Sequence, residues 1–215
     1  MGMYPTESIL RLSCRSFIPG FQEKLSRDGF EDAEALEVSF GNGVNLSLLG
    51  RLGVQLSGLN VGKKIVGKCR ADLPGWGYEA DLRVGSNLNL PFDDNKFDLV
   101  LTSRTILYVN NSLEMKPAIA EQARVLKPGG RIVAGITGPR HRIRENAVPA
   151  GNGLYQKVHS MDHTSGQIFF YFNSKRQIKN YLSKSFENIL IERTDEDLFI
   201  GTNDYFLMTA TKPII

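Results

Sequence analysis

Short apolar runs alternate with helix-patterned stretches along most of this chain, and few architectures accommodate that order. The runs are Ala35–Phe40 (ALEVSF), Val54–Val61, Ala80–Val84, Phe97–Ser103 (FDLVLTS) and Arg131–Ile136. The clearest of them are apolar with little interruption, so the strands they form must be covered on both faces, as in a parallel sheet. Between them, Asn45–Leu52, Gly62–Arg70 and Leu113–Leu126 carry the apolar spacing of helices. Pro128-Gly129-Gly130 stops the last of these, with glycine just past the helix end. Further on, a helix over Ser174–Leu182 precedes strands over Asn188–Glu192 and Asp204–Thr211, a closing hairpin that makes the sheet mixed. This order predicts an α/β fold: a seven-stranded mixed sheet with helices on both faces and the last strand antiparallel. The opening segment, Tyr4 to about Leu25, reads as one more helix, with Ile9, Leu10, Phe17 and Phe21 as its apolar positions.

A chain of 215 residues buries one substantial core and is short for two full domains, so residues 1–215 are read as one domain. No apolar run approaches the roughly 18 residues of a membrane span. The first residues lack the apolar stretch and small-residue cleavage site of a secretion signal. Cys14 and Cys69 cannot build a disulfide framework, no Cys/His cluster suggests a metal, and a reducing cytoplasm is the expected compartment. The net charge of +3 is too small for a nucleic-acid footprint. Positive residues do bunch at Arg140, His141, Arg142 and Arg144, which reads either as a solvated loop face or as a clamp for an anionic group.

The first apolar run ends in a glycine loop, Glu37-Val38-Ser39-Phe40-Gly41-Asn42-Gly43-Val44-Asn45. Glycines let backbone approach a ligand where a side chain would block it, and the following helix N-terminus offers N–H groups to an anion. A nicotinamide fingerprint would need glycine where Leu46 stands and an acid where Asn60 stands, so a dehydrogenase reading is poor. Two further stretches follow in order: LPFDDNKFDLVLTSRTILYV (Leu90–Val109) and EQARVLKPGG (Glu121–Gly130). At this spacing the three together resemble the class I S-adenosylmethionine-dependent methyltransferases, in particular their small-molecule, type-11-like branch. The resemblance covers residues 30–137 well and the rest loosely.

That resemblance implies a Rossmann-like sheet with S-adenosylmethionine lying across the C-terminal edges of the first and fourth strands. It implies cofactor contacts from Glu37, Ser39, Gly41, Gly43 and Asn45 in the first loop, and from Asn60 and Val61 after the second strand. Ser86, Asn87 and Leu88 after the third strand, and Ser103 and Arg104 after the fourth, complete the set. The implied reaction is methyl transfer to oxygen or nitrogen of a small-molecule acceptor, a sugar or other secondary metabolite being the expected kind. No nucleic acid, membrane or metal is expected as partner, and the oligomeric state is left open. Residues from Gly138 to about Thr164 show no period and hold Pro139, Pro149, Gly151 and Gly153, so 138–172 is expected to be a lid and acceptor-site insertion.

Three positions depart from the family pattern. An acid usually ends the second strand where Asn60 stands, another follows the third where Ser86 stands, and glycine usually occupies the place of Ser39. Neutral groups still hydrogen-bond, each at a loss of about 1 kcal/mol against a charged partner. The departures keep open a methyltransferase-fold protein that binds a ligand or partner without catalysis. Because the sulfonium already activates the methyl group, the protein mainly aligns the reactants and supplies a base. Candidates are Tyr108 and the pair Asp162 and His163, in which a carboxylate would orient and strengthen the imidazole. The bland reading of that pair is an exposed turn, and of Tyr108 a pocket wall or a core ring.

Overall fold

In the computed structural model, which describes residues 33–51, 53–106, 108–144, 147–158, 166–198 and 201–214, the apolar runs become strands. In chain order these are β1 (Glu34–Val38), β2 (Gln55–Asn60), β3 (Ala80–Val84), β4 (Phe97–Ser103), β5 (Leu126–Thr137), β6 (Ala147–Gly151), β7 (Leu154–Lys157), β8 (Ile168–Phe170), β9 (Glu187–Leu198) and β10 (Gly201–Thr211). The helices are α1 (Val44–Arg51), α2 (Lys63–Asp72), α3 (Met115–Val125) and α4 (Lys175–Leu182). Seven strands form one sheet in the order β3-β2-β1-β4-β5-β10-β9. β1 to β5 are parallel, and β10 is antiparallel to both β5 and β9. The mixed sheet with an antiparallel last strand is therefore as expected.

Alternation along each strand explains why helices cover both faces. Leu36 and Val38 of β1, Val100 of β4 and Ile132, Ala134 and Ile136 of β5 join a core with Ile119 of α3 and Ile178 of α4. The intervening residues Ala35, Leu99, Leu101 and Val133 pack on the opposite face against Leu48 and Leu49 of α1. Val66 and Cys69 of α2 close that side with Leu46, Leu82 and Phe40. The chain moves outward from β1 to β2 and β3, then returns to lay β4 on the other side of β1. Such a reversal parts the loops at the C-terminal ends of β1 and β4 and leaves a crevice between them.

Leu90–Asn95 is architecture, as the sequence suggests. Arg124 of α3 donates to the carbonyls of Leu90 (2.8 Å) and Phe92 (2.9 Å) and to the carboxylates of Asp94 and Glu121. The turn is thereby tied to the helix that follows it in sequence.

Three elements differ from expectation. β5 begins at Leu126 rather than Arg131, because Lys-Pro-Gly-Gly continues the ladder irregularly: Leu126 pairs with Phe97, and the Gly129 N–H donates to the Lys212 carbonyl (2.9 Å). The stretch after Gly138 is not structureless but carries a second sheet, β6-β7-β8, wholly antiparallel. Its first hairpin turns on Asn152-Gly153, with φ of 50° and 80°. Positive φ at both central positions is what an Asn-Gly hairpin turn supplies. β9 and β10 also run longer than the apolar pattern, since Arg193-Thr194-Asp195-Glu196 lies on an edge strand held by its backbone ladder. The helix expected over Tyr4–Leu25 lies outside the described residues.

Candidate functional site

The loop after β1 turns sharply, with positive φ at Ser39 (63°), Gly41 (56°) and Gly43 (78°). It begins with the Ser39 N–H donating to the Leu59 carbonyl at 2.7 Å, which brings the ends of β1 and β2 together. Glu37, in the last turn of strand before it, is 2% exposed. Its Oε1 accepts a hydrogen bond from Asn45 Nδ2 at 2.7 Å. Its Oε2 and the Asn45 Oδ1 are both buried and accept none. Burial pushes the Glu37 carboxyl up to about 8, against the opposing pull of the Asn45 amide and the Leu46 N–H. Two buried acceptor atoms without donors at a glycine loop form a place for a cationic or N–H-bearing group.

The glycines of this loop do different work. A Cβ on Gly41 would meet nothing within 4 Å. A Cβ on Gly43 would come 2.7 Å from Cys69 Sγ and 3.3 Å from the Trp76 ring. Gly43 thus serves packing between the loop and α2, not the ligand space that the sequence suggests, and Cys69 is a buried packing thiol pushed up to about 11 by burial and then by Glu37. Gly43→Ala is expected to lower stability by about 2 kcal/mol, from left-handed backbone strain plus the displaced sulfur. On the cofactor contact that the resemblance implies for this loop, Gly41→Asn, whose side chain tolerates that backbone, should instead fold normally and cut affinity for S-adenosylhomocysteine about tenfold. Thermal melting and calorimetric titration of the two variants separate these outcomes.

Asn60 ends β2 beside this loop, and Val61 follows it. Asn60 Oδ1 accepts from the Gly62 N–H (3.0 Å), capping the approach to α2, and Val61 is 68% exposed. Ser86, Asn87 and Leu88 form the turn after β3. Ser86 Oγ accepts from the Leu88 N–H at 3.3 Å, and Asn87 Nδ2 donates to the Thr105 carbonyl at 2.9 Å. Thr105 in turn donates to the Val38 carbonyl at 3.1 Å, so the loops after β1, β3 and β4 are tied into one rim. Leu88 is a second exposed apolar side chain on that rim.

A cavity of about 280 Å³ opens at the reversal point, lined by Ser39, Ser103, Arg104, Thr105, Tyr108, Thr137, His141, Ile143, Lys157 and Phe169. Of the residues singled out in the sequence it gathers Ser39, Ser103, Arg104 and Tyr108, with His141 of the basic cluster. Asp162 and His163 lie outside the described residues. Thr137, Ile143, Lys157 and Phe169 were not foreseen, although Thr137 ends β5, where the C-terminal-edge rule points. His141, Ile143, Lys157 and Phe169 come from the stretch after Gly138, which therefore reaches the cavity. His141 is buried and neutral: its Nδ1 accepts from the Ile143 N–H (3.1 Å), which leaves Nε2–H to donate to the Tyr205 hydroxyl (2.8 Å). Burial, and then the Arg104 charge, hold its pKa down at about 4.

The arginine cluster is mostly spoken for. Arg140 pairs with Asp195, and Arg144 donates to the Pro139 carbonyl and the Tyr155 hydroxyl while lying over the rings of Tyr155 and Tyr171. A joint anion clamp from these side chains is not formed. Among the described residues no His, Cys, Asp and Glu group could hold a metal ion, and no helix is long and apolar enough to cross a membrane.

A family model described as "Methyltransferase domain" matches residues 36–134. The chain is 34% identical over 83 residues to demethylmenaquinone methyltransferase of Desulfitobacterium hafniense, covering 37% of this chain and 31% of that protein. It is 31% identical over 90 residues to a protein called probable tRNA methyltransferase 9B of Mus musculus, covering 40% and 20%. The chain spans less than half the length of the curated relatives it matches. A solved structure described as a SAM-dependent methyltransferase from Methanosarcina mazei superposes with a TM-score of 0.67 at 19% identity, over 86% of this chain and 94% of that one.

Proposed function

We propose that this chain is a class I S-adenosylmethionine-dependent methyltransferase that transfers a methyl group to oxygen or nitrogen of a small molecule held in the cavity at the reversal point. The observation that carries the reading is the buried Glu37–Asn45 pair, whose orphaned acceptor oxygens suit the ammonium of the cofactor's methionine end. Open space over Gly41 suits the close approach of that same end. Asn60 has its oxygen engaged by the Gly62 N–H, so its amide N–H groups are the part left to meet ribose hydroxyls. Val61 and Leu88, apolar and exposed on the rim, fit the faces of an adenine, with Ser86 and Asn87 at its edge.

S-adenosylmethionine supplies a methyl group already activated by its positive sulfur. The protein's part is then alignment and handling of the acceptor's proton. Ser103 and Arg104 stand at the junction of the cofactor crevice and the cavity, and Tyr108 is one cavity wall. The stretch 138–172 is the acceptor-side insertion in this reading, with Asp162 and His163 as the pair that takes the proton. A concave cavity of this size supports a small acceptor over a nucleic acid, the substrate class named for the mouse relative.

Calorimetric titration tests the reading. S-adenosylmethionine and its demethylated product should bind in roughly the micromolar to sub-millimolar range. Asn60→Asp keeps the cap on Gly62 and adds a charged acceptor for the ribose, so it should tighten binding about fivefold. No heat and no thermal shift at millimolar cofactor would leave a binding protein without methyl transfer.

A further inference from the structure

We propose that the cavity takes a small aromatic acid, its carboxylate on Arg104 and its ring against Tyr108 and Phe169. Calling that occupant the acceptor rests on the methyl-transfer reading; its recognition does not.

The charge balance of the wall points to an anion. The described lining contains Arg104 and Lys157 and no Asp or Glu. A concave site lined by one sign of charge concentrates the potential within it. His141 reports the sign of that potential. Its imidazole is kept neutral first by burial, then by Arg104, Arg142 and Lys157, and of the neighbouring charges only Asp204 pulls the other way. That carboxylate is occupied by Arg193 and by the Arg140 N–H.

Arg104 differs from the other arginines nearby. Arg140, Arg144 and Arg193 each hold a protein partner, whereas the Arg104 guanidinium makes no ion pair among the described residues. Its backbone sits at φ of 60°, a conformation that side chains larger than glycine seldom adopt. Its N–H donates to the Gly135 carbonyl at 2.7 Å, which fixes that turn at the end of β4. Strain of this kind persists where the surrounding structure holds a residue for a task. A planar guanidinium at the mouth of a cavity matches a carboxylate through paired N–H donors.

The walls set the shape of the rest. Tyr108 and Phe169 meet edge to face at 6.4 Å and 74°. Phe169 is backed by Tyr155, stacked at 6.3 Å with 20° between the planes. Two rings set edge to face beside a cation offer an apolar corner, and an aromatic partner packs against such rings well.

Benzoate and benzamide, which share shape and differ in charge, are the probes. Ligand-observed NMR titrations are run on the full chain, with and without saturating S-adenosylhomocysteine. Benzoate should bind at least about tenfold more tightly than benzamide, and added salt should weaken benzoate alone. Arg104→Gln should erase the difference, and Arg104→Lys should keep part of it. An unchanged melting temperature in Arg104→Gln, expected of an exposed side chain, shows that the loss is not one of folding. Equal affinities in the wild type, or an undiminished preference in Arg104→Gln, overturns the assignment. If S-adenosylhomocysteine fails to bind while the benzoate preference persists, the methyl-transfer reading falls and the anion site stands.

Discussion

Affinity for S-adenosylhomocysteine should fall about tenfold for each pH unit lost between about pH 7.5 and pH 6, and Glu37→Gln should flatten that slope. The Glu37 carboxyl, raised to about 8 by burial, is protonated at neutral pH before the ligand arrives. An ammonium beside the unpartnered Oε2 favours the ionised form, so binding at pH 7 must expel about one proton. Calorimetry in phosphate and in Tris reads this directly, because the two buffers take up a proton with different heats. Identical heats in both would show that Glu37 does not meet the cation. The same residue acts on stability with a definite sign. A carboxyl raised from 4.5 unfolded to about 8 folded contributes fully below the unfolded value, and its contribution is lost as pH rises through the folded one. Glu37→Gln should therefore stabilise the chain by about 3 kcal/mol at pH 7 and by less than about 1 kcal/mol near pH 5, read from urea unfolding. A residue kept at such a cost is kept for binding.

The half of the fold that lies around the reversal point was legible because its signals are local. β3 and β4 match the expected Ala80–Val84 and Phe97–Ser103 to the residue, since each is a short apolar run closed by turn residues. Glu37, Asn45, Ser103 and Arg104 came from the family resemblance, and the structure puts Asn45 on the Glu37 carboxylate and Ser103 and Arg104 on the cavity wall. What escaped is where pairing outweighs pattern. Gly129 and Gly130 look like a helix stop and are also strand, because Lys212 pairs with them from the far end of the chain. Asn152-Gly153 announces a hairpin, but the flanking Pro149, Gly151 and Gln156 hide the period of β6 and β7. With that sheet unseen, Lys157 and Phe169 could not be placed in the cavity. Gly43 shows a further kind of limit. A glycine's sequence context cannot tell whether its missing side chain makes room for a ligand or for Cys69.

The remaining large effect lies in the pair that braces the cavity wall, and there the two single substitutions should differ. Asp204 is 0% exposed and accepts from Arg193 Nε (2.7 Å) and Nη2 (2.8 Å) and from the Arg140 N–H (2.7 Å). The Gly138 N–H donates to its backbone carbonyl, and the His141 N–H donates to that of Gly138, so the turn that carries His141 hangs on this residue. Arg193 is about a third exposed, with its side chain at the surface end of the pair. Removing Asp204 releases Arg193 into water, and Asp204→Ala should cost about 2 kcal/mol from the lost hydrogen bonds. Removing Arg193 leaves a carboxylate buried with one N–H partner, and Arg193→Ala should cost about 4 kcal/mol at pH 7. In the wild type, burial pushes the Asp204 carboxyl up, but Arg193 and the Arg140 N–H outweigh it and hold it below the ordinary aspartate value. The pair's contribution is thus present above the unfolded value and lost as pH falls through the folded one. In Arg193→Ala burial is no longer opposed, the carboxyl rises above its unfolded value, and acid should relieve the defect. Urea unfolding should show the gap between Arg193→Ala and wild type narrowing from pH 7 to pH 4, with the double variant close to Asp204→Ala alone. A gap independent of pH would mean that the lost stability comes from the packing of the Arg193 stem on Phe206, over which its guanidinium lies at 5.7 Å, and not from an abandoned charge.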